Sequence, residues 1–214
     1  MSRWLGTFVL CSVLSLAGFA RAQTDVSASV YGAFTGTTDG NGVTQSPSNA
    51  AGVLFEVRHI KNPLVGFEAT YAYNRANQSY TTDNVISCGL PCGNAGSKLS
   101  THIPADAHEI TADWVASFKL LNLRPFVLAG GGLLLNVPST SASTGGNTTV
   151  PTQTQTKGVL VYGGGVDYGV LPHLGLRFQY RGNVYKAAQL TTAFSSSGQF
   201  VHTAEPMIGA YFRF

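Results

Sequence analysis

The sequence of 214 residues carries 11% charged residues, a net charge of +3 and 25 glycines. Its basic residues are scattered singly, which excludes the clustered positive face of a nucleic-acid binder. No uninterrupted apolar run approaches the ~20 residues of a membrane-spanning helix, and the glycine-rich, Ser/Thr/Asn-rich composition argues for many short strands joined by polar loops.

At the N-terminus Arg3 precedes an apolar stretch from Trp4 to Leu16, and Ala20-Arg21-Ala22 forms a small-x-small site before Gln23. That is the layout of a secretory signal peptide, so residues 1–22 are expected to be cleaved and 23–214 to form one domain. Cys11 lies inside the apolar stretch without the small residues that precede a lipidated cysteine. Removal of the leader leaves Cys88 and Cys92, and an even pair in an exported chain favours a disulfide.

The first expected strand, Thr24 to Thr35, sets Val26, Ala28, Val30 and Phe34 against Ser27, Ser29 and Thr35. A turn-rich segment runs from Gly36 to Pro47. The second strand, Ala50 to His59, alternates Val53, Phe55 and Val57 with Leu54, Glu56 and Arg58. A short link at 60–63 leads to the third, where Val65, Phe67, Ala69, Tyr71 and Tyr73 oppose Gly66, Glu68, Thr70 and Asn74. A long polar loop is expected from Arg75 to Ala105. The fourth strand, Asp106 to Phe118, sets Ile110, Ala112, Trp114, Ala116 and Phe118 against Glu109, Thr111, Asp113 and Ser117.

The fifth begins at Pro125 and runs into Gly130-Gly131-Gly132, which permits a bend and close packing; its face is ambiguous, because Val127, Leu133 and Leu135 occupy the other phase. Val137 to Thr156 reads as another outer loop. The sixth strand, Lys157 to Val170, contains Gly163-Gly164-Gly165 and Asp167. The seventh places Leu174, Leu176, Phe178 and Tyr180 opposite Arg177, Gln179 and Arg181. After a loop over about 183–199, the last strand, Glu205 to Phe214, alternates Ile208, Ala210, Phe212 and Phe214 with Tyr211 and Arg213.

The connections alternate long and short, which makes eight strands with short turns on one side and long loops on the other. That rhythm predicts an all-β, eight-stranded antiparallel up-and-down transmembrane β-barrel, with four outer loops and three periplasmic turns. In this phase Glu56, Arg58, Glu68, Glu109, Asp113, Asp167, Arg177, Arg181 and Glu205 all fall opposite the apolar face, and are expected to form a charge network in the lumen. An Arg on the lipid face would cost about 2–4 kcal/mol at mid-membrane. A narrow eight-stranded interior is filled by side chains, so acids and arginines there can satisfy each other. A soluble sandwich or lipocalin-like barrel would turn the same strands inside out. Aromatics near strand ends fit headgroup-level positions in a membrane.

The stretches Arg124-Pro125-Phe126-Val127-Leu128-Ala129-Gly130-Gly131-Gly132, Gly163-Gly164-Gly165-Val166-Asp167-Tyr168 and Tyr211-Phe212-Arg213-Phe214, with the alternating strands, resemble the small OmpA/OmpX-like bacterial outer-membrane β-barrel superfamily. The resemblance spans essentially the mature chain. It implies residence in the outer membrane, contact with outer-membrane lipid and lipopolysaccharide, and recognition of the terminal strand by the assembly machinery, with Tyr211, Phe212 and Phe214 as the signal. No peptidoglycan-binding domain is expected after Phe214, unlike full-length OmpA.

Other candidates weigh less. Cys88-Gly89-Leu90-Pro91-Cys92 could close a small loop disulfide worth about 2 kcal/mol; metal binding there would need ligands beyond His102. His108 lies beside Asp106 and Glu109, and His202 follows Ser195-Ser196-Ser197, so a Ser–His–acid set is conceivable, but no deacylase motif is present and solvated rim histidines are the expectation. The glycine run at 163–165 lies inside a strand with no helix after it, so it lacks the geometry of a phosphate-binding loop. The expectation is therefore a non-enzymatic barrel without cofactor, catalytic residue or metal, with a structural or surface-interaction role and no identifiable loop ligand. The alternatives are a narrow porin-like channel for small solutes and, more remotely, a lipid-modifying enzyme.

Overall fold

The computed structural model describes residues 23–61, 64–82, 99–139, 143–144, 148–149 and 151–214. The strands are β1 (Gln23–Thr35), β2 (Thr38–Gly40), β3 (Val43–Pro47), β4 (Ala50–Ile60), β5 (Val65–Thr82), β6 (Leu99–Ser117), β7 (Leu123–Pro138), β8 (Ser143–Thr144), β9 (Thr148–Thr149), β10 (Gln155–Gly169), β11 (Leu174–Lys186) and β12 (Phe200–Arg213). There is no helix among the described residues. Eight strands close a ring in the order β1, β4, β5, β6, β7, β10, β11, β12, with β12 returning to β1 and every pairing antiparallel. Closure leaves these strands without a free edge, which is the condition for crossing a bilayer with strands.

The side chains are distributed inside out relative to a soluble barrel. Val30, Phe55, Ile110, Trp114, Leu133 and Leu160 are each more than half exposed on the outer surface. Arg58, Arg177 and Arg181 are 0% exposed in the interior. Alternation along β4 shows the cause: Val53, Phe55 and Val57 face out while Leu54, Glu56 and Arg58 face in. Such a surface is stable only where the outer solvent is lipid, so this is a transmembrane β-barrel.

Several strand boundaries differ from the sequence expectation. β5 continues to Thr82 and β6 starts at Leu99, so most of the described part of the expected loop 75–105 is paired strand, with Arg75 opposite Asp106 and Thr82 opposite Leu99. This extension rises beyond the apolar belt into water. Its outward residues, such as Asn77 and Ser79, are therefore polar, and the alternation that marks a lipid-facing strand disappears. β3 pairs with it, Val43 opposite Thr82, and β2 pairs with β3, so the expected turn-rich segment is a small hairpin. β11 runs on to Lys186 and β12 begins at Phe200, which shortens the last loop.

The ambiguous β7 resolves with Phe126, Leu128, Leu134 and Asn136 inside and Val127 and Leu133 outside. Its inward face is apolar because it joins Ile60, Val115, Val159 and Val161 in a buried cluster. The lumen thus has an apolar wall centred on β7, with Val115 of β6 and Val159 and Val161 of β10 beside it, while Glu109 and Asp113 of β6 and Asp167 of β10 join the charged side. Two glycines serve close approach: a Cβ at Gly130 would overlap the Asp113 side chain, and one at Gly52 would overlap the Tyr31 ring that covers it from the neighbouring strand.

Candidate functional site

The charged lumen side chains sit in two tiers. In the lower tier Arg177 is the hub. Its Nε donates to Asp167 Oδ1 at 2.7 Å, and its Nη2 donates to Asp167 Oδ2 and Asp25 Oδ1, each at 3.0 Å. Its Nη1 pairs with Glu56 and reaches Ser27 Oγ at 3.2 Å. Arg58 donates from Nε to Glu68 Oε2 at 2.9 Å, with Nη2 2.7 Å from the same oxygen, and lies 3.1 Å from Glu56 and 3.5 Å from Asp167. The Phe126 ring lies 4.0 Å below the Arg58 guanidinium, a cation–π contact made on the apolar wall.

In the upper tier Arg181 donates from Nη1 to Thr70 at 3.1 Å and from Nη2 to Thr111 at 3.0 Å and Glu109 at 3.3 Å, with Asp113 at 3.6 Å. Asn183 Nδ2 donates to the other Glu109 oxygen at 2.8 Å. Glu205 is buried directly across from Arg181 in the β11–β12 register, without an ion pair among the described residues. Of the nine charged residues expected in the lumen, the structure buries all and ties eight of them by ion pairs. Asp25 was not among them; it lies two residues before Ser27 in the same inward phase, and extending that phase by one step would have found it. Thr70 and Thr111 were likewise legible as inward polar positions but not as partners of Arg181, and Asn183, expected in the last loop, is instead the inward strand residue that bonds Glu109.

Above the upper tier lies a polar cavity of about 40 Å³ lined by Glu109, Asn183, Tyr185 and Glu205 among others, with room for a few waters at most. The segment 187–199 forms a cap packed against β3 and the extension of β5 and β6. Ala188, Leu190 and Phe194 pack with Val43, Tyr80, Ile103 and Ala105 in a second buried cluster. Hydrogen bonds pin this cap: Tyr80 OH donates to Ala188 O at 2.8 Å and accepts from Leu190 N at 3.0 Å, Gln45 Nε2 donates to Ala188 O at 2.8 Å, and Asn41 Nδ2 donates to Ser196 O at 2.9 Å.

Tyr80 lies in the extension beyond the apolar belt, and burial pushes its hydroxyl up to about 12. The folded value lies above the unfolded one, so stabilisation by the neutral phenol is complete below about pH 10 and is lost as pH rises through the raised value. The cap is therefore expected to loosen only in strong alkali. Spectrophotometric titration of tyrosinate, wild type minus Tyr80→Phe, checks this; a midpoint at the ordinary value of about 10 would contradict the buried position.

The structure does not assemble the conceivable Ser–His–acid sets. His108 Nδ1 bonds the Tyr71 hydroxyl at 2.9 Å and His202 Nε2 the Tyr162 hydroxyl at 2.8 Å, both on the outer surface. Ser196 donates to Ala187 O at 3.1 Å and Ser197 bonds Thr38 at 2.9 Å, both in the cap. His102 bonds Ser79 at 2.7 Å on the exposed side of the extension. No group of three or more His, Cys, Asp or Glu side chains is placed to hold a metal ion among the described residues. Cys88 and Cys92 lie outside the described residues. At the chain end Tyr211 is buried over Gly175, with Arg177 5.3 Å from its ring, while Phe212 and Phe214 face out.

No protein-family model and no curated relative matches the sequence. Solved structures do. Neisserial surface protein A is similar with a TM-score of 0.53 at 17% identity, covering 89% of this chain and 97% of that one. The outer membrane protein OprG from Pseudomonas aeruginosa gives 0.51 at 10% identity, covering 92% and 98%. Ail, the attachment invasion locus protein of Yersinia pestis, solved with the heparin analogue sucrose octasulfate, gives 0.50 at 15% identity, covering 90% and 99%. At these identities the shared property is the fold: the chain has the barrel architecture of these small outer-membrane proteins.

Proposed function

We propose that this chain is an integral bacterial outer-membrane protein whose lumen is a structural core and whose role is exercised at its outer surface, through the extended β5–β6 ladder, the β2–β3 hairpin and the cap. The observation that carries this reading is the lumen filling: three guanidiniums with no solvent exposure bridge the barrel wall to wall, and the cap packs against the extended strands. A conducting path would have to displace ion pairs whose disruption costs about 3–5 kcal/mol. The surface role brings the protein against lipopolysaccharide and extracellular ligands. Export through the cleaved leader, a Cys88–Cys92 disulfide in the outer loop, and assembly through the terminal Tyr211, Phe212 and Phe214 belong to the same proposal.

Planar-bilayer recording of the refolded protein tests it, with the heat-dependent gel shift as the folding control. The folded protein is expected to be electrically silent. Deleting 188–197 is expected to leave it silent, because the arginine tiers lie below the cap. Steady conductance of the folded wild type would overturn the reading in favour of a narrow channel.

A further inference from the structure

The periplasmic mouth carries a feature that the lumen network does not absorb. A cavity of about 350 Å³ opens there, lined by Lys119, Arg124 and Arg213, within the range of small-molecule sites. The register sets Arg124 beside Asp167 and Arg213 beside Asp25. Those carboxylates nevertheless turn inward to Arg177, which takes both oxygens of Asp167 and one of Asp25. Among the described residues no ion pair forms on Arg124 or Arg213.

Donors are left over at this mouth. Arg124 Nη2 donates to Gln23 Oε1 at 2.7 Å and Arg213 Nη2 reaches Tyr211 OH at 3.4 Å, while Arg124 Nη1, Arg213 Nε and Gln23 Nε2 are buried without a hydrogen-bond partner among the described residues. The Arg213 guanidinium is held over the Tyr211 ring at 5.1 Å. Buried donors without acceptors are costly, and two guanidiniums with a lysine at one mouth suit an oxyanion, which accepts from several N–H groups at once. Cleavage before Gln23, as read from the sequence, would add an α-ammonium beside Arg124. The outer rim of the cavity is apolar, formed by Leu121, Leu123, Val170, Leu171 and Pro172; Leu121 is 91% exposed at the tip of its turn.

We propose that this mouth is a binding site for a phosphate-type oxyanion, free in the periplasm or carried as the headgroup of an anionic lipid. Asp167 on the cavity floor is bonded to Arg177 and lies 3.5 Å from Arg58; the lower tier sets four carboxylates against two guanidiniums, and the three cations at the mouth outnumber that excess of two negative charges. The proposal needs the barrel and its orientation, and is independent of the role of the outer surface.

The test uses the full refolded protein in two arms. In detergent, equilibrium binding of inorganic phosphate is followed by 31P line broadening. In nanodiscs, the melting temperature is compared between pure phosphatidylcholine and a phosphatidylcholine–phosphatidylglycerol mixture. Saturable phosphate binding in detergent identifies a free oxyanion; a response confined to phosphatidylglycerol identifies a lipid headgroup. In either case Arg124→Gln is expected to weaken the response by roughly tenfold or more, the loss of one charge-assisted hydrogen bond, with Lys119→Gln weakening it less. Arg213 lies in the terminal strand, so these two variants avoid its part in assembly. No response in either arm, or the same response in wild type and Arg124→Gln, would overturn the proposal.

Discussion

Arg177→Met is expected to produce the largest loss of stability of any single lumen substitution, about 3–5 kcal/mol. The substitution keeps the volume on the wall but strands Asp25, Glu56 and Asp167, which share this guanidinium as an ion-pair partner. Arg58 remains within reach of Glu56 and Asp167, yet it is already committed to Glu68. Urea unfolding of the protein refolded in lipid vesicles, read by the gel shift, measures the effect. Adding Asp25→Asn, Glu56→Gln and Asp167→Asn to Arg177→Met is expected to recover much of the loss, because replacing a buried ionic cluster by neutral groups of similar size is far less costly than leaving it half paired. A midpoint for Arg177→Met equal to wild type would mean that the tier contributes nothing as a charge network.

The second large effect lies on the other face of the wall. Ile208 is 47% exposed on the outer surface of β12, midway between the rim positions His202 and Phe212. Ile208→Arg is expected to cost about 2–4 kcal/mol, and the same change at Leu174, level with the rim residue Phe212, about 0–1 kcal/mol. The difference arises because a long side chain at the rim reaches water and one at mid-depth does not. Vesicle insertion yield and unfolding midpoints give the comparison. Equal penalties at the two depths would remove the basis for placing this belt in a bilayer.

What the sequence revealed follows from which environments leave a periodic mark. Strands with lipid on one side and charge on the other, such as β4 and β11, write a period of two that can be read directly. β7 could not be read because its inward residues Phe126, Leu128 and Leu134 build the apolar wall, so both faces are apolar. The extensions of β5 and β6 read as loop because their outward residues meet water and their few inward apolar residues, Tyr80, Ile103 and Ala105, meet the cap, so no apolar stripe marks them. The cap was illegible for a different reason: its anchors Leu190 and Phe194 are isolated apolar residues in a polar segment, and their partners Val43, Tyr80 and Ile103 are distant in sequence. The lumen charges were legible by phase, but their pairing was not, since the partners of Arg177 come from β1, β4 and β10. The mouth arginines followed the same inward phase as the lumen charges, and only the turn of Asp167 and Asp25 toward Arg177 separates them from the network.

The most direct test of the inverted barrel is the contact between lipid chains and side-chain methyls, measured as intermolecular NOEs on methyl-labelled protein in nanodiscs. Val30, Val53, Ile110, Leu133, Leu160 and Ile208, all exposed on the outer wall, are expected to show strong acyl-chain NOEs, and Leu54, Val115, Val161 and Val201, all buried, none. The reverse pattern, with acyl-chain contacts at Leu54 and Val161 and none at Ile110 and Ile208, would contradict the orientation of every strand and the charged lumen with it.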